Sequence, residues 1–287
     1  RFLSPGKHRW QWDGYGDDGV LDTRTLKSKA LTVRLTATQG GKRQVRELGL
    51  GNHAEEVQWA DARIDRNSKT IEITVRPSFT DGGTVGDPIP GYAAKTFEEL
   101  KQMAKRGIER YWTRDGSRPG GIGAPVDTAK GAFSVTVKAD VNAEPMADGF
   151  ALKELLQKRR EWGFIRPDDS TSAGTLSQIV HMAHFWIVEY RLSCIEADAD
   201  FEHTAAHEFG HRIMGAYGGR TYSWTHNQSS TELTQKPLPR TAHPSSGEID
   251  LMKYAEYRTD EQDKWQRAVA SEQDVKGLLW LTRVKFR

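Results

Sequence analysis

The sequence predicts two units of different class: a small all-β sandwich with its linker over residues 1–90, then an α+β domain over residues 91–287. Three observations carry this reading. The first third alternates apolar and polar residues with period two. A stretch dense in Gly and Pro, TDGGTVGDPIPG at residues 80–91, follows it and reads as a linker. Beyond that stretch, apolar residues return at helical spacing. A chain of 287 residues is long enough to bury a sizeable core in one large or two ordinary domains.

Each element follows from local pattern. Leu31, Val33 and Leu35 alternate with Thr32, Arg34 and Thr36, and a QGG turn leads into RQVREL. VQWADARI and KTIEITV flank Asn67-Ser68, which puts Ile71, Ile73 and Val75 on one face of a half-buried antiparallel strand. After the linker, Thr96-Phe97-Glu98-Glu99 forms a capping box, and Phe97, Leu100, Ala104, Ile108 and Tyr111 share a helix face. The loop SRPGGIGAP ends that region. GAFSVTVKADV then places Phe133, Val135, Val137 and Ala139 on one strand face, and IVHMAHFWIVEY supplies a further strand. In ADADFEHTAAHEFGHRIMGAYGG, Asp198 or Asp200 caps a helix that Gly218-Gly219 stops. From about Ser246 onward the pattern is mostly helical.

Composition removes several functions. A net charge of +2 with 28% charged residues gives a mixed surface without the basic stripe that nucleic acid requires. No apolar run reaches membrane-spanning length. The start, RFLSPGKHRW, has neither an initiator Met nor an apolar signal core, so the chain reads as a piece of a longer polypeptide. One cysteine, Cys194, excludes an intrachain disulfide and the cysteine-rich zinc frameworks. Within WIVEYRLSCI it reads as a small buried hydrophobe. Any metal must be held by His and carboxylate.

The chemistry-bearing segment is His207-Glu208-Phe209-Gly210-His211. Each helical residue turns about 100°, so His207 and His211 lie one above the other and both imidazoles can reach one ion. Glu208 lies about 100° round from His207 and about 60° back from His211, a bearing that flanks the metal without joining the pair. That suits a general base taking a proton from zinc-bound water, whose pKa falls to roughly 7, and later returning it to the leaving amine. A His-acid-x-x-His match would arise by chance in roughly one or two chains in fifty of this size and composition. Gly210 inside the helix costs about 0.5–1 kcal/mol against Ala, which implies close packing at that position.

Two histidines leave a catalytic zinc one protein ligand short. The long metzincin pattern would place a third His at position 217, which is Tyr217. The downstream candidates are His226, Glu232, His243, Glu248, Asp250 and Glu256. Glu256, in the potentially helical GEIDLMKYAEYRTDEQ, is favoured, with Glu248 and Asp250 as alternatives. Met252 is a candidate to lie beneath the metal. Tyr254, Tyr257, His226 and His243 are candidates to donate to the oxyanion, and Asp200 and Glu202 to accept from the ligand imidazoles. His203 shares the motif face, but one ion cannot bond three histidines along a straight helix. His181 and His184 fall on opposite faces of the strand expected there, which argues against a shared metal.

FEHTAAHEFGHRIMGAYGG, with SSGEIDLMKY some thirty residues later and the helix KQMAKRGIERYW before it, resembles bacterial HExxH toxin metallopeptidases attached to secretion machinery. With the β-rich start, the chain resembles the C-terminal extension of a type VI secretion VgrG spike protein. The resemblance implies a zincin-like α+β metallopeptidase domain preceded by a small transthyretin- or immunoglobulin-like sandwich. It implies Zn2+ on His207 and His211 with Glu208 as acid/base, and it transfers less securely to Glu256. It also implies a protein or peptide substrate, the spike remainder of the same polypeptide as a partner, and a cognate immunity protein. Delivery by contractile injection and action in the target periplasm are its further implications. Two other classes remain open from the residues: another zinc amide hydrolase acting on peptidoglycan or as a deformylase, and a non-catalytic adaptor.

Overall fold

The computed structural model describes residues 4, 6–85, 90–143, 147–155, 186–191, 197–233, 236–256 and 264–286. Along the chain, β1 (Val20–Asp22) leads into the single turn α1 (Thr23–Leu26), and β2 (Thr32–Gln39) and β3 (Lys42–Gly49) form a hairpin. β4 (His53–Glu55), β5 (Ala60–Asp65), β6 (Thr70–Val75) and β7 (Pro77–Val85) follow. Helix α2 (Phe97–Trp112) precedes β8 (Val126–Thr128), β9 (Gly131–Ala139), β10 (Ala147–Leu155) and β11 (Trp186–Arg191). Then come α3 (Ala197–Trp224), β12 (Ile249–Asp250), α4 (Lys264–Arg267), β13 (Ala268–Val269), α5 (Glu272–Leu281) and β14 (Val284–Phe286).

The expected boundary near residue 90 does not separate two cores. Strands from both sides of it share one sheet, in the order β1-β5-β6-β9-β8, with β6 and β9 parallel from Thr70↔Ser134 to Val75↔Ala139. β4 pairs with β14 at the far end of the chain, and β7 pairs with β10. β7 therefore occupies residues 77–85, where the Gly-rich composition suggested the start of a linker. The reason is apolar burial. Ile71, Ile73 and Val75 point their shared face into a core that also contains Val135, Val137, Trp112, Phe209 and Leu278. Cut off near residue 90, these strands would lose those partners and leave that face wet, at about 1.5–3 kcal/mol per large side chain.

Two helices bring the motif into this core. α2 begins at the capping box expected from sequence: Glu99 N donates to Thr96 Oγ1 (3.2 Å) and Thr96 N donates to Glu99 Oε2 (2.7 Å). It packs on α3 so closely that a Cβ on Gly107 would lie 2.1 Å from the Glu202 carbonyl oxygen. Trp112, fully buried, donates its indole N–H to the Ala206 carbonyl at 3.1 Å, one residue before the motif. The C-terminal region differs from the helical expectation. Its described part carries the short parallel pair β12–β13 and the strand β14 beside α5.

Gly107→Ala separates local propensity from packing. In an exposed helix the change would gain about 1 kcal/mol. Against the Glu202 carbonyl it is expected to lose about 1–3 kcal/mol net by forcing the helices apart. Denaturant midpoints of the two proteins check the sign.

Candidate metal centre

His207 and His211 stand one turn apart on α3, both buried, while Ala206, Phe209 and Ile213 anchor the helix in the core. His207 Nδ1 is 2.8 Å from the Leu251 carbonyl, which can only accept, so Nδ1 carries the proton. Its Nε2 is buried without a hydrogen-bond partner. Ser223 Oγ donates to the His211 carbonyl (2.9 Å) and so accepts from His211 Nδ1 at 3.1 Å. Both tautomers turn Nε2 inward.

The third member is His226. One nitrogen from each of His207, His211 and His226 lies within 4.8 Å of the others. The ring centroids are 4.9 Å (207–211), 5.3 Å (207–226) and 4.6 Å (211–226) apart. His226 Nδ1 is 2.8 Å from Ser230 Oγ, and its Nε2 is again buried and unpartnered. Three buried imidazoles thus converge closely enough to hold a metal ion. Orphaned polar nitrogens in a protein interior are rare and costly, which a shared cation would explain.

Sequence reasoning placed His226 among the downstream candidates but favoured Glu256, because no periodicity connects His226 to the motif. Gly219 (φ 85°, ψ 169°) breaks α3 at the expected stop, and a short helical segment then runs to Trp224. His226, Asn227 and Gln228 follow with φ of 48°, 53° and 66°, a left-handed turn without glycine. The readable signals were the Gly-Gly break and the polar run HNQSS, rich in side chains that cap tight turns.

The segment after β12 completes the site. Besides the Leu251 carbonyl, it contributes Met252, whose Sδ would lie 2.2 Å from a Cβ on Gly210. That contact is why the motif helix carries glycine there. Tyr254 stacks on His226 at 3.7 Å and lies 5.7 Å from His207. Upstream, Glu248 is held by both terminal nitrogens of Arg114 (2.9 and 3.0 Å) and by Gly123 N–H (2.9 Å).

Glu256, expected as third ligand, is not in the cluster. It is exposed, bridges to Ala242 in extended backbone instead of facing α3 from a second helix, and accepts from Arg240 N. Glu248 is spent on Arg114. Asp250 accepts from Met252 N (2.9 Å) and Asn227 Nδ2 (3.4 Å). Glu202 pairs with Arg106 (2.9 Å). Glu232 and His243 also lie outside the cluster. His203 packs edgewise between Tyr111 (5.4 Å) and Trp265 (5.0 Å). His181, His184, Cys194 and Tyr257 lie outside the described residues.

Burial sets the protonation. It lowers His207 to about 4 and His226 to about 3, and it takes His211 well below the usual imidazole value with the help of its two histidine neighbours. All three are neutral near pH 7, the form a metal requires. Burial pushes the Glu208 carboxyl up to about 8. Burial and the nearby Asp274 push Asp250 up to about 6.

The site defines the chain as one with a buried three-histidine centre able to hold a metal ion. No known family, characterised protein or solved structure matches the chain.

The shifts give a pH dependence for chelator-treated protein. Below about 6.5 the unfolded chain takes up protons that the buried histidines refuse, so stability is lost as pH falls from about 6.5 toward 4. Glu208 and Asp250 oppose this, because they hold protons in the folded state that the unfolded chain has released. With His203, which burial also lowers well below the usual imidazole value, four histidines outweigh two carboxyls, so thermal midpoints should drop across that window, and His226→Ala should flatten part of the slope. Above about 6.5 only the Glu208 contribution remains, giving a shallow decline toward 8.

Proposed function

We propose that the protein is a zinc-dependent metallopeptidase. The observation that carries this is the convergence of three neutral imidazoles beside a partly buried glutamate on the same helix. Three nitrogen donors suit zinc, and among the described residues no fourth His, Cys, Asp or Glu joins them. Structural zinc sites fill all four positions with protein, whereas catalytic ones keep one for reactants. Zinc bound there supplies Lewis-acid polarisation of a carbonyl and lowers the pKa of water to about 7.

The chain's own residues do the rest. The Leu251 carbonyl, Ser223 and Ser230 keep each imidazole turned with Nε2 inward. Glu208 accepts the proton of the attacking water and delivers it to the amine that leaves. In the metal-free protein burial keeps that carboxyl protonated up to about pH 8; the charge of a bound cation would ionise it and leave a carboxylate able to take the proton. Tyr254, stacked against two of the imidazoles, offers the phenol that donates to the developing oxyanion.

The likeness of FEHTAAHEFGHRIMGAYGG to toxin metallopeptidases on type VI secretion spikes supports an antibacterial role. In that role the protein is carried to its target by contractile injection, acts in the target periplasm, and is met by an immunity protein.

Metal analysis and hydrolysis of an unfolded protein test this together. Wild type should carry about one zinc. His226→Ala should lose it, while Glu256→Ala should keep both metal and activity. Glu208→Ala should keep zinc and lose about 10²–10⁴ in kcat/KM, the span of general acid–base catalysis. Tyr254→Phe should keep zinc and lose about 10²–10³. Release of stem peptides from purified sacculi, with unfolded protein left intact, would instead assign the same chemistry to a peptidoglycan amidase. Wild-type behaviour of Glu208→Ala in every assay would leave an adaptor.

A further inference from the structure

The turn that presents His226 is unlike the rest of the site. His226, Asn227 and Gln228 are three successive left-handed residues, none of them glycine. Single residues visit that region routinely, but runs of them need outside support. The middle residue has it. Asn227 Nδ2 donates to Asp274 Oδ2 at 3.0 Å and reaches Asp250 Oδ2 at 3.4 Å. One amide therefore ties the turn to the first turn of α5 and to the segment that leads into Leu251.

Asp274 is an unusual residue to find there. It is fully buried, and among the described residues no Lys, Arg or His pairs with it. Its carboxyl oxygens are met by hydrogen-bond donors: Tyr217 OH at 2.5 Å and Tyr222 OH at 3.4 Å on one, Ser271 Oγ at 2.7 Å and Asn227 on the other. The start of α5 adds the positive end of a helix. A helix-capping acid alone has no need of burial, nor of donors from α3 and the left-handed turn.

We propose that Asp274 is a positioning residue for the metal centre: through Asn227 it holds the left-handed turn that aims His226 at His207 and His211. This rests on the metal-centre reading above. Asp274 touches neither the ligand rings nor the reacting atoms, so its effect passes through backbone geometry. One carboxylate thus meets Tyr217 and the turn, of which only the turn carries a ligand. Tyr217, six residues beyond His211 on α3, is fixed by one oxygen, and the turn carrying His226 by the other.

The test compares Asn227→Gly with Tyr217→Phe in the full chain. Each removes one hydrogen bond to Asp274, Asn227→Gly with the longer contact to Asp250 and Tyr217→Phe with the one to Tyr222, but only the first releases the turn. Glycine adopts φ near 53° freely, so a loss in Asn227→Gly comes from the missing tether and not from backbone strain. Zinc affinity by chelator competition, the visible spectrum of the cobalt-loaded protein, and the thermal midpoint of the metal-free protein are read for both. Asn227→Gly is expected to bind zinc about 10- to 100-fold more weakly and to change the cobalt spectrum. Tyr217→Phe is expected to lower the midpoint while leaving affinity and spectrum near wild type. Asp274→Ala, where it folds, should match Asn227→Gly, and combining the two should add nothing further. Asn227→Gly with wild-type affinity and spectrum overturns the role of Asp274. Wild type that binds neither zinc nor cobalt overturns the metal centre itself.

Discussion

The site depends on one backbone carbonyl. Leu251 accepts the Nδ1 proton of His207 across 2.8 Å, joining the motif helix to a segment more than forty residues downstream. That bond fixes the tautomer, so Nε2 points into the cluster. It also brings in what Leu251 carries beside it, with Met252 under Gly210 and Tyr254 over the rings. The segment is in turn held by the bidentate pair between Arg114 and Glu248 and by the β12–β13 ladder. Remote parts of the chain, from α2 to α5, converge on the orientation of one imidazole.

Electrostatics follow from the same burial. Three imidazoles taken out of water resist protonation, so they reach neutral pH as ready ligands. The same desolvation raises the proton affinity of Glu208. A cation among them would resolve both costs, satisfying orphaned nitrogens and supplying a counter-charge to the carboxylate.

Much of this was legible, and where it was not the reason is physical. The motif helix, its break at Gly218-Gly219, the capping box of Thr96 and Glu99, and the strands at 32–36, 70–75 and 131–139 are set by local pattern, and local pattern is in the sequence. The role of Gly210 was legible as a demand for space, although Met252 fills it with a side chain and not a backbone. The domain boundary was not legible, because pairing of β6 with β9 across the Gly/Pro stretch is a long-range choice driven by shared apolar faces. Glu256 drew attention because a carboxylate on a second helix is a common answer. Its backbone is extended instead, and the third position went to a histidine on a left-handed turn that no period announces.

X-ray absorption at the zinc edge of the loaded protein addresses the central claim most directly. Three imidazoles at about 2.0–2.1 Å, recognised by their outer-ring scattering, are what this account predicts. Two imidazoles with a carboxylate in the third protein position, or no zinc retained at all, would contradict it.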